Sequence, residues 1–184
     1  MKAKRGLVVM SVLILMATQA AAQPSAAPYA PTPPPKDTRN LSVMVSPVHL
    51  LLPFVELTVE KRGGDQWSIA GIVGGGEILD ISIYEVGAQL NYYVVGSFNR
   101  GFQIGAEAIY MYASSQLGDT RAAAEGLSIG PYAGYKIATQ SGFTFNVQAG
   151  IQLIGVAGKD SSGTTSEAES TVQPLVNLNV GWTF

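Results

Sequence analysis

The sequence predicts an all-β fold, an antiparallel up-and-down transmembrane β-barrel of about eight strands. Three observations predict it. From residue 40 onward, apolar side chains alternate with small or polar ones in successive segments, which is the period of a β-strand. The connections between these segments alternate between short and long. Charged side chains are missing from the middle of the apolar face of the segments.

The first residues have the layout of a secretory signal peptide. Three cations lie within the first five residues, an apolar run follows over 7–16, and alanines occupy 20–22. The run is too short to cross a bilayer as a helix, which takes about 20 apolar residues. We therefore expect a signal peptide over 1–22, cleaved after Ala22.

Composition distinguishes a spacer from the main domain and bears on disulfides, lipidation and nucleic-acid binding. Residues 23–39 are rich in Pro and Ala, which favours an extended spacer, and 40–184 has the length of one domain, the predicted barrel. The chain has no cysteine, so neither a disulfide nor a lipidated cysteine is available. Beyond the signal peptide, eight Lys and Arg stand against thirteen Asp and Glu, and this negative balance gives no indication of nucleic-acid binding.

Eight strands are predicted in order along the barrel region. The first is short because Pro47 and Pro53 bracket an apolar run without alternation. The others follow from alternation bounded by turn residues. Pro131 and Pro174 fall inside the sixth and eighth strands, and we expect a bulge at each. The predicted strands are 40–46, 52–61, 66–74, 81–95, 101–113, 126–138, 142–156 and 171–184.

The connections between the strands differ in length at the two ends of the predicted barrel. Short turns at one rim and long loops at the other are typical of outer-membrane barrels, with the short turns in the periplasm. Both chain ends are then expected on the periplasmic side. The short turns are 62–65, 96–100 and 139–141, and the long loops are 75–80, 114–125 and 157–170.

The two faces of the strands have opposite character. In the fourth strand, apolar or aromatic residues occupy the even positions from Tyr84 to Val94, while the odd positions include Glu85, Gln89 and Asn91. The seventh strand repeats this contrast. A charge on the lipid face at mid-bilayer costs about 2–4 kcal/mol, so a charge-free apolar face indicates contact with lipid. A soluble barrel of the lipocalin type, the alternative, would reverse the faces.

Five charged residues fall on the polar, inward parity. Glu56, Glu60, Glu85 and Glu107 come from three strands, and Lys136 is the one inward cation of the predicted strands. The sequence does not set the strand stagger, so we expect Lys136 to pair with Glu60, Glu56 or Glu107. We interpret this lumen charge cluster as a plug.

Aromatic residues on the outward parity are expected at the two membrane interfaces. Seven lie near the short-turn rim: Trp67, Tyr92, Phe102, Tyr135, Phe143, Trp182 and Phe184. Three lie towards the long-loop rim: Tyr84, Tyr110 and Tyr112.

Candidate chemistry is sparse. His49 is the only histidine, it is flanked by Val48 and Leu50, and no serine with a fitting motif stands beside it, so we predict a rim or turn histidine and no catalytic residue. One His and no Cys give no metal-ligand pattern, and we expect neither a metal nor a cofactor. The glycine run 74–76 is not followed by a helix or a Lys-Ser/Thr pattern, which excludes a phosphate-binding loop.

The last strand ends in Phe184, with apolar or aromatic residues at every second position over 176–184. This resembles the C-terminal assembly signal of bacterial outer-membrane barrels. In strand number, turn alternation and faces, the barrel region resembles the small eight-stranded outer-membrane proteins of the OmpA transmembrane domain and OmpX type. The resemblance implies insertion by the outer-membrane assembly machinery and a lumen too narrow for bulk diffusion.

We therefore expect a non-enzymatic, monomeric protein of the bacterial outer membrane with a structural or surface-interaction role and a closed polar lumen. Its expected partners are outer-membrane lipid and the assembly machinery, and not nucleic acid. A narrow channel or small-molecule transporter is the main alternative, and a lipid-modifying enzyme is a further one.

Overall fold

A computed structural model describes residues 38–117, 120–160 and 169–184, and these form eight antiparallel strands. The strands pair in chain order and close into a barrel, so the predicted all-β up-and-down barrel is confirmed. The expected signal peptide and most of the spacer lie outside the described residues. The elements are β1 (Leu41–Val45), α1 (Pro47–Leu50), β2 (Phe54–Arg62), β3 (Trp67–Ile78), β4 (Ile81–Ser97), β5 (Arg100–Leu117), β6 (Thr120–Ala138), β7 (Phe143–Asp160) and β8 (Glu169–Thr183).

The strands run further towards one rim than the sequence predicts. The expected loop 114–125 is mostly ladder, with Ser114 opposite Ala123, and the expected loop 75–80 shrinks to the two-residue turn Leu79–Asp80. Both turn residues have positive φ, 52° and 64°, as a tight hairpin turn requires. Backbone pairing continues regardless of side-chain polarity where no residue breaks it, so the small and polar composition of these segments was a misleading loop signal.

The strand register stays constant past both internal prolines. The β6–β7 ladder is interrupted at Pro131 but resumes in the same register, and Pro174 on β8 stands opposite Ile151 without a shift. The expected bulge at each proline was therefore wrong, and in the described ladders the irregularity lies between Tyr93 and Val95 of β4 instead. Pro174 is tolerated because β8 has no strand on its other side at this height.

Many polar side chains point into the barrel and are buried, whereas the large exposed side chains on its outer face are mostly apolar. Along β4, Gln89 and Asn91 are buried, whereas Leu90 between them has 57% of its surface exposed. The same contrast holds on β7 for Gln148 and Val147. The period of two in the sequence thus becomes an inside and an outside, with the polar groups inside.

The barrel closes through a short seam between its first and last strands. β1 pairs with β8 only from Ser42 to Val45, opposite Thr183 to Val180. Above this seam the short helix α1 packs beside β2 and β8. The helix starts at Pro47, whose fixed φ and missing N–H suit the first turn. Among the described residues, no helix is long and apolar enough to span a membrane.

Candidate functional site

The five charged residues of the expected lumen cluster all face the barrel interior, but they lie in two places. Glu60 and Lys136 lie in the lower lumen, the half near Asn40, Phe184 and the short turns. Glu56, Glu85 and Glu107 line a cavity nearer the opposite rim. We call this second place the acidic cavity.

A buried ion pair organises the lower lumen. Lys136 Nζ lies 2.6 Å from Glu60 Oε2, and both side chains are almost fully buried, with 0% and 1% of their surface exposed. The second oxygen of Glu60 accepts hydrogen bonds from Ser68 Oγ at 2.5 Å, from Tyr93 Oη at 2.7 Å and from Asn91 Nδ2 at 3.3 Å. A buried carboxylate needs both a counter-charge and donors on its lone pairs, and Glu60 has both.

The ammonium group of Lys136 has further partners. It donates to Ser42 Oγ at 2.8 Å and stands 3.6 Å from the centroid of the Phe98 ring, a cation–π contact. Ser42 continues the network through Thr183, at 2.8 Å, to Thr144, at 2.5 Å. The network therefore ties β6 to β1, β8 and β7 across the lumen.

Aromatic side chains fill the space around this ion pair. Tyr93 and Phe98 are fully buried and meet edge to face with their centroids 6.3 Å apart. Tyr132 donates to Asn91 Oδ1 at 2.5 Å. It fits because residue 105 is glycine: a Cβ there would stand 2.6 Å from the Tyr132 ring. With this filling, the lower lumen is packed like a protein interior.

The sequence analysis missed two of these aromatic residues. Phe98 lies in an expected turn and folds upward under Lys136, which no local pattern indicates. Tyr132 shares the inward parity of Lys136, and that parity was an available signal.

A layer of amides lies between the lower lumen and the acidic cavity. Glu107 Oε2 accepts from Gln89 Nε2 at 2.5 Å and from Asn177 Nδ2 at 2.8 Å. Both amides also donate to Gln148 Oε1, at 3.3 and 3.2 Å. The four side chains come from β4, β5, β7 and β8, so the layer crosses the lumen and forms the floor of the cavity.

The acidic cavity has a volume of about 300 Å³ and a lining that mixes charged and apolar side chains. His49 and the carboxylates of Glu56, Glu85 and Glu107 contribute the charged part. The apolar part includes Ile109, Met111, Ile154 and Leu175, and Met111 stands next to Glu85 on the paired strand.

His49 reaches the acidic cavity from α1. Its Nδ1 lies 2.9 Å from Glu56 Oε2, and its ring packs edge to face on Phe54, with centroids 5.3 Å apart. The contact with Glu56 raises the pKa of His49 above its ordinary value, helped by the charges of Glu85 and Glu107 and opposed by partial burial. The sequence analysis placed His49 in a turn but did not identify its partner, seven residues further along the chain.

Glu85 occupies space left by a glycine. A Cβ on residue 74 would stand 2.5 Å from Glu85 Oε1 and 2.8 Å from Phe54 Cε1, so the carboxylate lies over the bare backbone of Gly74. Glu85 Oε1 is shielded from solvent and has no hydrogen-bond partner among the described residues. This oxygen is buried, while the Glu85 side chain as a whole is partly exposed.

The aromatic residues expected at the membrane interfaces all have exposed rings. Several lie side by side on paired strands: Trp67 stands opposite Tyr92, and Tyr84 opposite Tyr112. They form two groups, towards the short-turn rim and towards the opposite rim. The exposed rings are Trp67, Tyr84, Tyr92, Phe102, Tyr110, Tyr112, Tyr135, Phe143 and Trp182.

Phe184 takes part in barrel closure through its backbone. Its carbonyl oxygen accepts from Asn40 N at 2.7 Å, and its N–H donates to Leu41 O at 2.8 Å, while its ring stays exposed. Its role as an assembly signal stays a prediction.

Within the part of the chain that the structure describes, no group of three or more His, Asp or Glu is arranged to hold a metal ion. No protein-family model, curated protein or solved structure shows significant similarity to this chain. Its function is therefore argued from the barrel and its lumen.

Proposed function

We propose that this chain is a bacterial outer-membrane β-barrel with a closed polar lumen and a structural or surface-interaction role. The observation that carries the proposal is the inverted distribution of side chains. Large apolar residues are exposed around the barrel, while Gln, Asn, Glu and Lys are buried inside it. In water such a surface would be an extensive exposed apolar patch, whereas in a bilayer it is covered by lipid.

The filled lower lumen favours a closed barrel and argues against a channel. An ion path would have to pass Lys136, Glu60, Tyr93 and Phe98, which are all buried and in mutual contact. An eight-stranded barrel leaves an interior that its own side chains fill. The described site residues offer hydrogen bonding and charge, and we propose no catalytic role for them.

Insertion by the outer-membrane assembly machinery and a monomeric state belong to the same proposal. The barrel closes on itself within one chain, and above the short seam α1 packs beside the edge of β8 that no strand pairs. The terminal strand β8 would present Phe184 at the short-turn rim during insertion.

Fractionation of the producing bacterium followed by conductance in planar bilayers tests this function. The expected result is recovery in the outer-membrane fraction and no steady open-channel conductance. Recovery as a water-soluble protein would contradict the membrane assignment. A large, steady conductance would instead favour the channel alternative.

A further inference from the structure

The proposed function leaves the acidic cavity without a role. Its volume of about 300 Å³ lies at the lower end of the range for small-molecule sites. The amide layer around Glu107 borders it on the side of the lower lumen. On the side of α1 it is lined by His49, whose side chain is 34% exposed.

The charges around the cavity are unbalanced. Glu56, Glu85 and Glu107 contribute three carboxylates, and His49 is the one basic side chain among the described residues that line it. Glu56 is engaged with His49, and Glu107 accepts two amide hydrogen bonds. The cation Lys136 is held by Glu60 in the lower lumen.

Glu85 contributes the accessible chemistry of this cavity, because its side chain is partly exposed, whereas Glu56 and Glu107 are buried. Its Oε1 is shielded and lacks a hydrogen-bond partner among the described residues, so the carboxylate is incompletely solvated. Such a carboxylate gains most from a charged donor that enters with its own apolar body. An anion would be repelled by the same carboxylates.

Apolar side chains beside these carboxylates suit an aliphatic group. Ile109 and Met111 of β5, Ile154 of β7 and Leu175 of β8 line the cavity, and Met111 is the cross-strand neighbour of Glu85. A methionine adapts its flexible side chain to ligands of different shape. A ligand with a charged end and an apolar end would meet a matching surface at both.

We propose that the acidic cavity binds an organic amine, with the ammonium group at Glu85 and the alkyl group against Ile109, Met111, Ile154 and Leu175. This inference rests on the proposed function, which places the cavity at the outer side of the membrane. A divalent metal ion is a poorer occupant, because no described residues form a metal-ligand group there. The site would take small alkylamines or the amine end of larger amphiphiles.

Two methionines make a direct test available. Beyond the expected signal peptide the chain contains only Met44 and Met111. Met111 lines the acidic cavity, whereas Met44 is buried on β1 in the lower lumen. The full chain, labelled with ¹³C-methyl methionine in phospholipid nanodiscs, is titrated with hexylammonium, and with hexanol and hexanoate as neutral and anionic analogues of equal length.

The expected result is a saturable shift of the Met111 methyl signal with hexylammonium, while the Met44 signal stays in place. Hexanol and hexanoate should bind at least about tenfold more weakly, since they lack the charged donor. Glu85→Gln should weaken hexylammonium about tenfold. Glu77→Gln is the matched control, because Glu77 lies exposed on the outer face of β3 and should leave the affinity unchanged.

Three outcomes would overturn the inference. Equal affinity for hexanol would mean apolar partitioning only. Displacement of hexylammonium by Ca²⁺, with Ca²⁺ alone shifting Met111, would mean a divalent-cation site. No shift of Met111 with hexylammonium would mean no site. The comparison of the three ligands on the unmodified protein decides the matter even if Glu85→Gln fails to fold, and fractionation tests the proposed function separately.

Discussion

Removal of the lysine from the buried ion pair should strongly destabilise the barrel. In Lys136→Ala, Glu60 keeps its three donors, Ser68, Tyr93 and Asn91, but loses its counter-charge at 2.6 Å. Removing one partner of a buried pair costs about 3–5 kcal/mol, because an uncompensated charge stays behind. The lost contact with Phe98 acts in the same direction. We expect the free energy of unfolding to fall by about this amount.

The assay is urea unfolding in lipid vesicles followed by tryptophan fluorescence. The chain has two tryptophans, and Trp67 and Trp182 both lie exposed on the outer face, where release from lipid changes their emission. The paired variant Lys136→Met with Glu60→Gln serves as the control, since replacing both partners of a buried pair is often nearly neutral. It should recover most of the lost stability.

A loss below about 1 kcal/mol in Lys136→Ala would refute this reasoning, because a loss that small is typical of exposed pairs. An equally large loss in the paired variant would also refute it. The destabilisation would then come from the packing of the lower lumen and not from the unpaired charge.

Three other predictions concern the lipid face, the terminal residue and the histidine. Ala88 lies exposed midway between Tyr84 and Tyr92 on β4. Ala88→Arg should therefore lower the stability of the barrel by about 2–4 kcal/mol and reduce the folded yield in vesicles. Gln140→Arg, in an exposed turn, should change neither. Phe184→Asp should lower the amount inserted into the outer membrane in cells; equal amounts of variant and wild type would remove its role as a signal. Because Glu56 raises the pKa of His49, the pair should stabilise the fold fully below the ordinary His pKa of about 6.5, and this stability should be lost as pH rises through the raised value. The difference in unfolding free energy between wild type and His49→Ala should therefore shrink with rising pH, and Glu85 and Glu107, whose charges also act on His49, contribute to the same difference; a constant difference would contradict the ion pair.

The sequence was informative about the faces of the strands and less so about contacts across the lumen. A period of two is a local property, so alternation along β4 and β7 predicted which side chains point inward. The partner of Lys136 is not local. Glu60 lies on β2 and Lys136 on β6, and their approach depends on every register between them.

The acidic cavity and the strand ends show the same limit in other ways. The apolar run over 48–52 gives no signal of the short helix that places His49 next to Glu56. The reason is that α1 buries no residue of its own and so has no amphipathic pattern. Segments rich in Ser, Ala and Gly indicate loops, although β5 and β6 continue through them as a ladder. Side-chain polarity reports on surroundings, whereas ladder length depends on backbone pairing.

The short seam between β1 and β8 has a consequence for the order of folding. Its contacts join residues 141 positions apart in the chain, as between Ser42 and Thr183, and they hold together only the short stretch from Asn40 to Val45. The hairpins from β2 to β8 each join neighbouring strands and close small loops, whereas the seam closes nearly the whole domain at once. We therefore expect the local pairings to form first, and β1 to join β8 as the final step that turns an open sheet into a barrel.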